Sequence, residues 1–473
     1  MPDPEACEHS ITSYYPSLKT MKQEYDFFKL SLQIALNKTH EGYGIVASLK
    51  SMCQNNREEA AWDDCHELLN DVILQLDRII STPEYISDDA ETLISAALTN
   101  LDTCRYGFME LGVTNNIYPL LPIKNVSELI FNTLALNNLP HRGSSNYEDG
   151  FPTWVKPNDQ KLLQDSSSLL SSQETIVVAN DNLGDFNTIT EAINYLVSLQ
   201  MNASKRKVIH IKQGIYRGSF IKLKNVMLVG AGISKTIFIG NKNVARGGIT
   251  GDGFIAKDIT FRNTAGERGN QAVALLAKSD HSVFYRCSFE GYQDTLYAHS
   301  YRQFYRECNI YGTVDFIFGN AAAVFQNCGI YVARTSRPTC TITAQNRLFP
   351  KENTGFSIHD STIDMHIGGT AKCKGYFGRP WGKFSRVVIL KSFLGPVIDK
   401  VGWLPWSGKF ALDTLYYAEY RNHGPGASLR SRVTWPGYHR NINEAVARKF
   451  TVRKFISGTS WLPSTGVPFT IDL

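Results

Sequence analysis

The chain has 473 residues, too many for one hydrophobic core of ordinary size, so at least two domains are expected. With 43% hydrophobic and 20% charged residues, and 36 Gly and 18 Pro, the composition excludes disordered, collagenous and coiled-coil classes. The net charge of +5 averages two opposed halves: residues 1–165 hold 12 Lys and Arg against 24 Asp and Glu, and the remainder holds 37 against 20. A basic half of that size points to an anionic ligand; nucleic acid, an acidic polysaccharide and the acidic half itself all stay open on charge alone.

Along the chain, Met1-Pro2-Asp3-Pro4-Glu5 has neither the basic nor the apolar region of a signal peptide, so either a leader is absent from this sequence or the protein is cytosolic. The first 140 residues read as helices. In Ala60–Ile80 the apolar positions Trp62, Cys65, Leu68, Leu69, Val72, Ile73, Leu76 and Ile80 follow the spacing of one buried helical face. Similar stretches run over Lys22–Leu36, Glu91–Leu111 and Val126–Leu139, with Pro83 and Pro140 as stops. The pattern predicts an all-α helical bundle over 1–140. Residues 141–172 are polar, Ser-rich and unpatterned, and read as a linker.

From residue 173 onward, short β-rich runs replace the helical period. Phe254–Ile259, Val283–Phe289, Gln303–Ile310 and Val324–Ile330 resemble one another, and Cys287, Cys308 and Cys328 keep the last three in register. A repeat of about 20–25 residues built of short strands predicts an all-β parallel β-helix; the leucine ladder of leucine-rich repeats is missing. Residues one coil apart stack about 4.8 Å from each other. Cys308 and Cys328 would then face each other, as a disulfide in an oxidising compartment or as buried thiols. The nine cysteines form no CxxC pair, and His9 and His66 join no paired ligand motif, so a zinc site is not expected. Apolar runs as short as Ala272–Ala277 make a membrane span unexpected.

The same arithmetic gathers polar residues. Gln271 and Gln293, then Asp294 and Asp315, are each about one coil apart, among apolar and aromatic neighbours. Two carboxylates in partly dry surroundings resist ionising together, which suits one as nucleophile and the other as general acid. A polar ladder that merely stabilises the solenoid is the competing reading. Arg379-Pro380-Trp381 offers a partner for a carboxylate and a ring for a sugar face.

These residues carry a resemblance. Residues 173–473 resemble the catalytic domain of plant pectin methylesterases through Gln271–Ala274, Gly291–Tyr297, Gly312–Asn320, Phe377–Trp381 and Trp461–Phe469. The resemblance implies a right-handed parallel β-helix that hydrolyses galacturonate methyl esters in cell-wall pectin, releasing methanol. It implies Asp315 as nucleophile, Asp294 as acid/base, Gln293 and Gln271 as oxyanion donors, and Gln271, Arg379 and Trp381 as substrate contacts. Pectin is the implied partner and the secretory pathway the implied route, with no metal or organic cofactor implied and neither nucleic acid nor a membrane expected as partner. Residues 1–140 resemble the pectin methylesterase inhibitor-like pro-region through Trp62–Leu69 and Ser95–Cys104. That likeness implies a Cys65–Cys104 disulfide, leaves Cys7 without its usual partner, and allows contact between the two domains. The chain departs from the pattern in a short segment at 241–253 and in a single basic residue at the 159–163 processing site. The first departure keeps open a second reading, a catalytically impaired pectin-binding or inhibitor-like protein.

Overall fold

The computed structural model describes residues 24–82, 87–137, 147–148, 151–152, 175–199, 206–217, 222–241, 248–366 and 373–473. It divides into two compact units, Met1–Ser144 with Phe349–Asn353, and Ser145–Leu348 with Thr354–Leu473. Most of the expected linker, Cys7, Pro83 and Pro140 lie outside the described residues.

In the first unit, helices α1 (Glu24–Ser48), α2 (Asn56–Ser81), α3 (Ser87–Glu110) and α4 (Ile123–Asn137) pack around an apolar core. Helix α2 starts four residues before the apolar stripe, because Asn55 caps it by accepting from the Arg57 and Glu58 amides. Helix α1 runs twelve residues past its expected end, through a polar stretch holding Gly42 and Gly44 that masks the period. Trp62, Cys65, Leu69, Val72 and Leu76 of α2 are buried. Cys65 and the buried Cys104 of α3 form the disulfide that the family likeness implies, with Cα atoms 4.4 Å apart. Closing a loop of that length contributes about 4 kcal/mol. Glu58 ties the base of the unit together: it is buried and accepts from the Gln54 amide (2.9 Å), Asn116 Nδ2 (3.2 Å) and the Ile117 amide (3.3 Å).

The second unit is a right-handed parallel β-helix. Among the described residues its three sheets have eleven, eight and six strands, here called sheets 1, 2 and 3. One coil takes Arg302–Arg306 in sheet 1, Asn309–Gly312 in sheet 2 and Val314–Gly319 in sheet 3, before Ala322–Gln326 returns to sheet 1. The repeats read from the sequence are stacked coils: Ile255, Val283, Phe304 and Val324 are successive register partners. The first of these repeats, Phe254–Ile259, holds the strand Ile255–Lys257 and leads through a bend at Asp258 into a second strand, Thr260–Asn263.

That bend recurs. Asp258, Arg286, Glu307, Asn327, Asp360, Lys391 and Arg421 all have φ between 47° and 60°, a left-handed conformation uncommon for residues other than Gly. The cost is offset because such amides join the ladder: Arg286 N–H donates to the Arg306 carbonyl and Glu307 N–H to the Gln326 carbonyl. Charged side chains at these positions also pair on the surface, as Arg286 does with Asp258 at 2.6 and 2.8 Å. The residue after each of the first six bends is buried: Ile259, Cys287, Cys308, Cys328, Ser361 and Ser392. Inside, Tyr216, Phe238, Phe261, Phe289, Ile310 and Ile330 form one column in sheet 2.

The expected Cys308–Cys328 disulfide is corrected by the structure, in which both are buried thiols. In-register parallel strands hold successive Cβ vectors parallel and about 4.8 Å apart, wider than the roughly 3.8 Å a disulfide needs. Each thiol instead donates to backbone of the preceding coil, Cys308 Sγ to the Phe284 carbonyl (3.2 Å) and Cys328 Sγ to the Tyr305 carbonyl (3.5 Å). The bond in this unit joins Cys340 and Cys373. Cys373 stands two residues before Gly375, the register partner of Cys340, so the two side chains approach diagonally with Cα atoms 5.9 Å apart.

Two segments close the solenoid. Helix α5 (Ile189–Ser198), capped reciprocally by Thr188 and Glu191, lays Ile189, Ala192 and Leu196 on the first coils. The C-terminal segment covers the outer face of sheet 1, where Phe450, Val452, Trp461 and Leu462 cluster with Phe304, Val324 and Val388.

Candidate active site

Sheet 3 carries the polar column. Gln271 and Gln293 form a parallel bridge, and the Ala272 amide donates to the Gln293 carbonyl at 3.1 Å. Leu296 pairs with Ile317, so Asp294 and Asp315, each two residues earlier, stand at equivalent places on adjacent coils. The Asp294 amide donates to the Val314 carbonyl at 3.0 Å. The structure therefore brings the four expected residues together on three coils.

Local backbone aims the aspartates. Both have φ above zero, 60° at Asp294 and 50° at Asp315. Val314 pairs with Thr341 and Ile317 with Thr343, so Asp315 and Phe316 together face Ile342 alone. This is a β-bulge, which bends the strand and redirects a side chain. Aspartate suits the position because it tolerates the left-handed region better than most residues.

The Asp315 side chain is 7% exposed, yet every hydrogen bond it accepts comes from a matched donor. Arg379 Nε lies 2.9 Å from Oδ1 and 3.1 Å from Oδ2, and Nη2 lies 2.6 Å from Oδ2. Thr341 Oγ1 donates to Oδ1 at 2.6 Å. A planar guanidinium in this two-point geometry gives short, strong, charge-assisted bonds. Burial by itself would lower the Arg379 guanidinium; its bonds and attraction to Asp315, with the charge of Asp294 beyond, reverse that and hold it above its ordinary value. Gly378 lets the chain pass, since a Cβ there would overlap the Thr343 hydroxyl and carbonyl.

An aromatic wall borders the carboxylates. Tyr297 and Phe318 stack with centroids 4.3 Å apart, and Trp381 lies 6.1 Å from Phe318. Trp406 covers the other side of Arg379, its ring centroid 4.4 Å from the guanidinium carbon. Sequence reasoning missed Thr341 and Trp406. Thr341 is 26 residues from Asp315 rather than 21, because a loop lengthens that coil. Trp406 sits in an irregular stretch with no repeat to index it.

The chain combines a parallel β-helix with paired aspartates, paired glutamines and an arginine along one sheet, and its relatives place it among the β-helical carboxylic ester hydrolases. The chain belongs to the pectinesterase family, whose model matches residues 175–459. A second family model, plant invertase/pectin methylesterase inhibitor, matches residues 1–136. The chain is 49% identical to "Pectinesterase 2" of Citrus sinensis over 486 aligned positions, covering 100% of this chain and 93% of the relative. It is 48% identical to "Probable pectinesterase/pectinesterase inhibitor 17" of Arabidopsis thaliana, with coverage of 100% and 93%. Among solved structures it is similar to "Pectin methylesterase from Carrot", with 44% identity and a TM-score of 0.60 over 63% of this chain and 98% of that one. Among the described residues no helix is long and apolar enough to cross a membrane.

Proposed function

We propose that this chain hydrolyses the methyl esters of galacturonate units in cell-wall pectin, with Asp315 as nucleophile and Asp294 as acid/base. The observation that carries the reading is the Asp315 carboxylate, held by Arg379 and Thr341 and standing in register with Asp294 one coil away.

In the first step a carboxylate oxygen of Asp315 attacks the ester carbonyl carbon. Gln271 and Gln293 donate to the oxyanion, a contribution of roughly 3–4 kcal/mol for such a donor. The C–OCH3 bond then breaks, and protonated Asp294 gives its proton to the departing methoxide, forming methanol and an acyl-enzyme anhydride. In the second step Asp294, now a carboxylate, takes a proton from water. The resulting hydroxide attacks the acyl carbon, releasing a galacturonate carboxyl group and restoring Asp315. Arg379 keeps Asp315 ionised and oriented, and Trp381 offers a sugar-facing ring on the aromatic wall.

Methanol release from methylated pectin by the purified full chain tests the reading. Asp315→Asn is expected to lose all measurable turnover while keeping the fold, since asparagine also suits the left-handed backbone. Asp294→Asn is expected to slow both steps. Wild-type rates in either variant would remove that residue from the mechanism.

The opposite charges of the two halves support a further part of the proposal: the acidic inhibitor-like half attracts the basic enzyme half, in the same chain or between chains, and restrains it in the secreted protein. With a protease site inserted in 141–172, cleavage followed by separation of the halves should raise methanol release per enzyme half. An unchanged rate would dismiss the restraint.

A further inference from the structure

The reading of Asp315 as nucleophile leaves open which of its two oxygens attacks, and Thr341 decides it. Thr341 is 2% exposed, fixed by its own amide donating to the Thr313 carbonyl at 3.0 Å. Its hydroxyl has a closed set of partners. It accepts from the Asp315 amide at 3.0 Å and donates to Asp315 Oδ1 at 2.6 Å, so its proton has one direction. One side chain thus holds the backbone and the carboxylate of the same bulged residue.

The lone pairs can be counted. A carboxylate oxygen offers two in-plane acceptor directions. At Oδ1 one is taken by Thr341 Oγ1 at 2.6 Å and the other by Arg379 Nε at 2.9 Å. At Oδ2 the short bond is from Arg379 Nη2 at 2.6 Å, with Nε a longer second contact at 3.1 Å. Oδ1 is saturated and Oδ2 keeps a lone pair directed away from the arginine. We propose that Thr341 is a positioning residue of the ester hydrolysis: it occupies Oδ1, fixes the carboxylate plane and leaves Oδ2 as the attacking atom.

This inference rests on the proposed esterase activity and is tested beside it by steady-state methanol release from the full chain. Thr341→Val keeps shape and removes the hydroxyl. Thr341→Ala also removes it and leaves room for a water on the Asp315 amide, so it serves if the valine variant does not fold. Both are expected to lower kcat about ten- to hundred-fold, the loss of one hydrogen bond to a charged group, with KM nearly unchanged. Thr341→Ser, which restores the hydroxyl, should return most of kcat. A hydroxyl-free variant with wild-type kcat overturns the inference, as does a loss confined to KM or one that serine does not rescue. Inactivity of the wild-type chain itself would instead sink the esterase reading.

Discussion

At the scale of single residues, burial and hydrogen bonding decide what a carboxylate does. Asp315 and Glu58 are both buried among donors, but with different consequences. Around Asp315 the donors are an arginine and a hydroxyl with one acceptor direction left over, an arrangement suited to reaction. Around Glu58 they are the backbone amides of Gln54 and Ile117 and the amide side chain of Asn116, uncharged donors that join three segments. The Gln54 amide, helped by Asn116 and Ile117 against the effect of burial, holds the Glu58 carboxyl below its ordinary value. A lowered carboxylate value means the charged form is favoured in the folded state. Its stabilisation is therefore full above the ordinary glutamate range and is lost as pH falls through the lowered value. Helical circular dichroism of the full chain should show a melting temperature that falls as the pH drops below about 5, and Glu58→Gln should flatten that dependence. An equal acid response in the variant would assign the loss to other carboxylates.

At the scale of elements, regular spacing was legible and irregular spacing was not. From Arg286 through Glu307 to Asn327 the bend between sheets 1 and 2 recurs after 21 and then 20 residues, so Cys287, Cys308 and Cys328 fell into register on sight. The register was right and the bond was wrong, because stacking sets Cα spacing whereas a disulfide depends on where the Cβ vectors point. The segments entering and leaving sheet 3 vary in length, so counting could not pair Cys340 with Cys373 or bring Thr341 to Asp315. In the helical unit the apolar stripe located the middle of α2. Its start depended on the Asn55 cap, a signal with no hydrophobic component. The aspartates and glutamines fell into register because the coils from Gln271 to Gln293 and from Asp294 to Asp315 keep spacings of 22 and 21 residues, before the loop that lengthens the next one.

At the scale of the molecule, the coil is the unit in which the site is written. Asp294 and Asp315 differ by 21 residues, as do their paired neighbours Leu296 and Ile317. Removing residues 294–314 would therefore set Ile317 where Leu296 now pairs with Leu275, and Val324 where Phe304 now pairs with Val283. The shortened chain should remain a folded solenoid by circular dichroism and release no methanol, since a single aspartate would be left. Failure to fold would show that coils are not interchangeable here. A one-residue deletion within a strand would instead turn its inward side chains to the opposite face and disrupt the core before it touched the chemistry. A whole coil is thus the length whose removal leaves its neighbours in register, and activity depends on the number of coils as well as on a set of side chains.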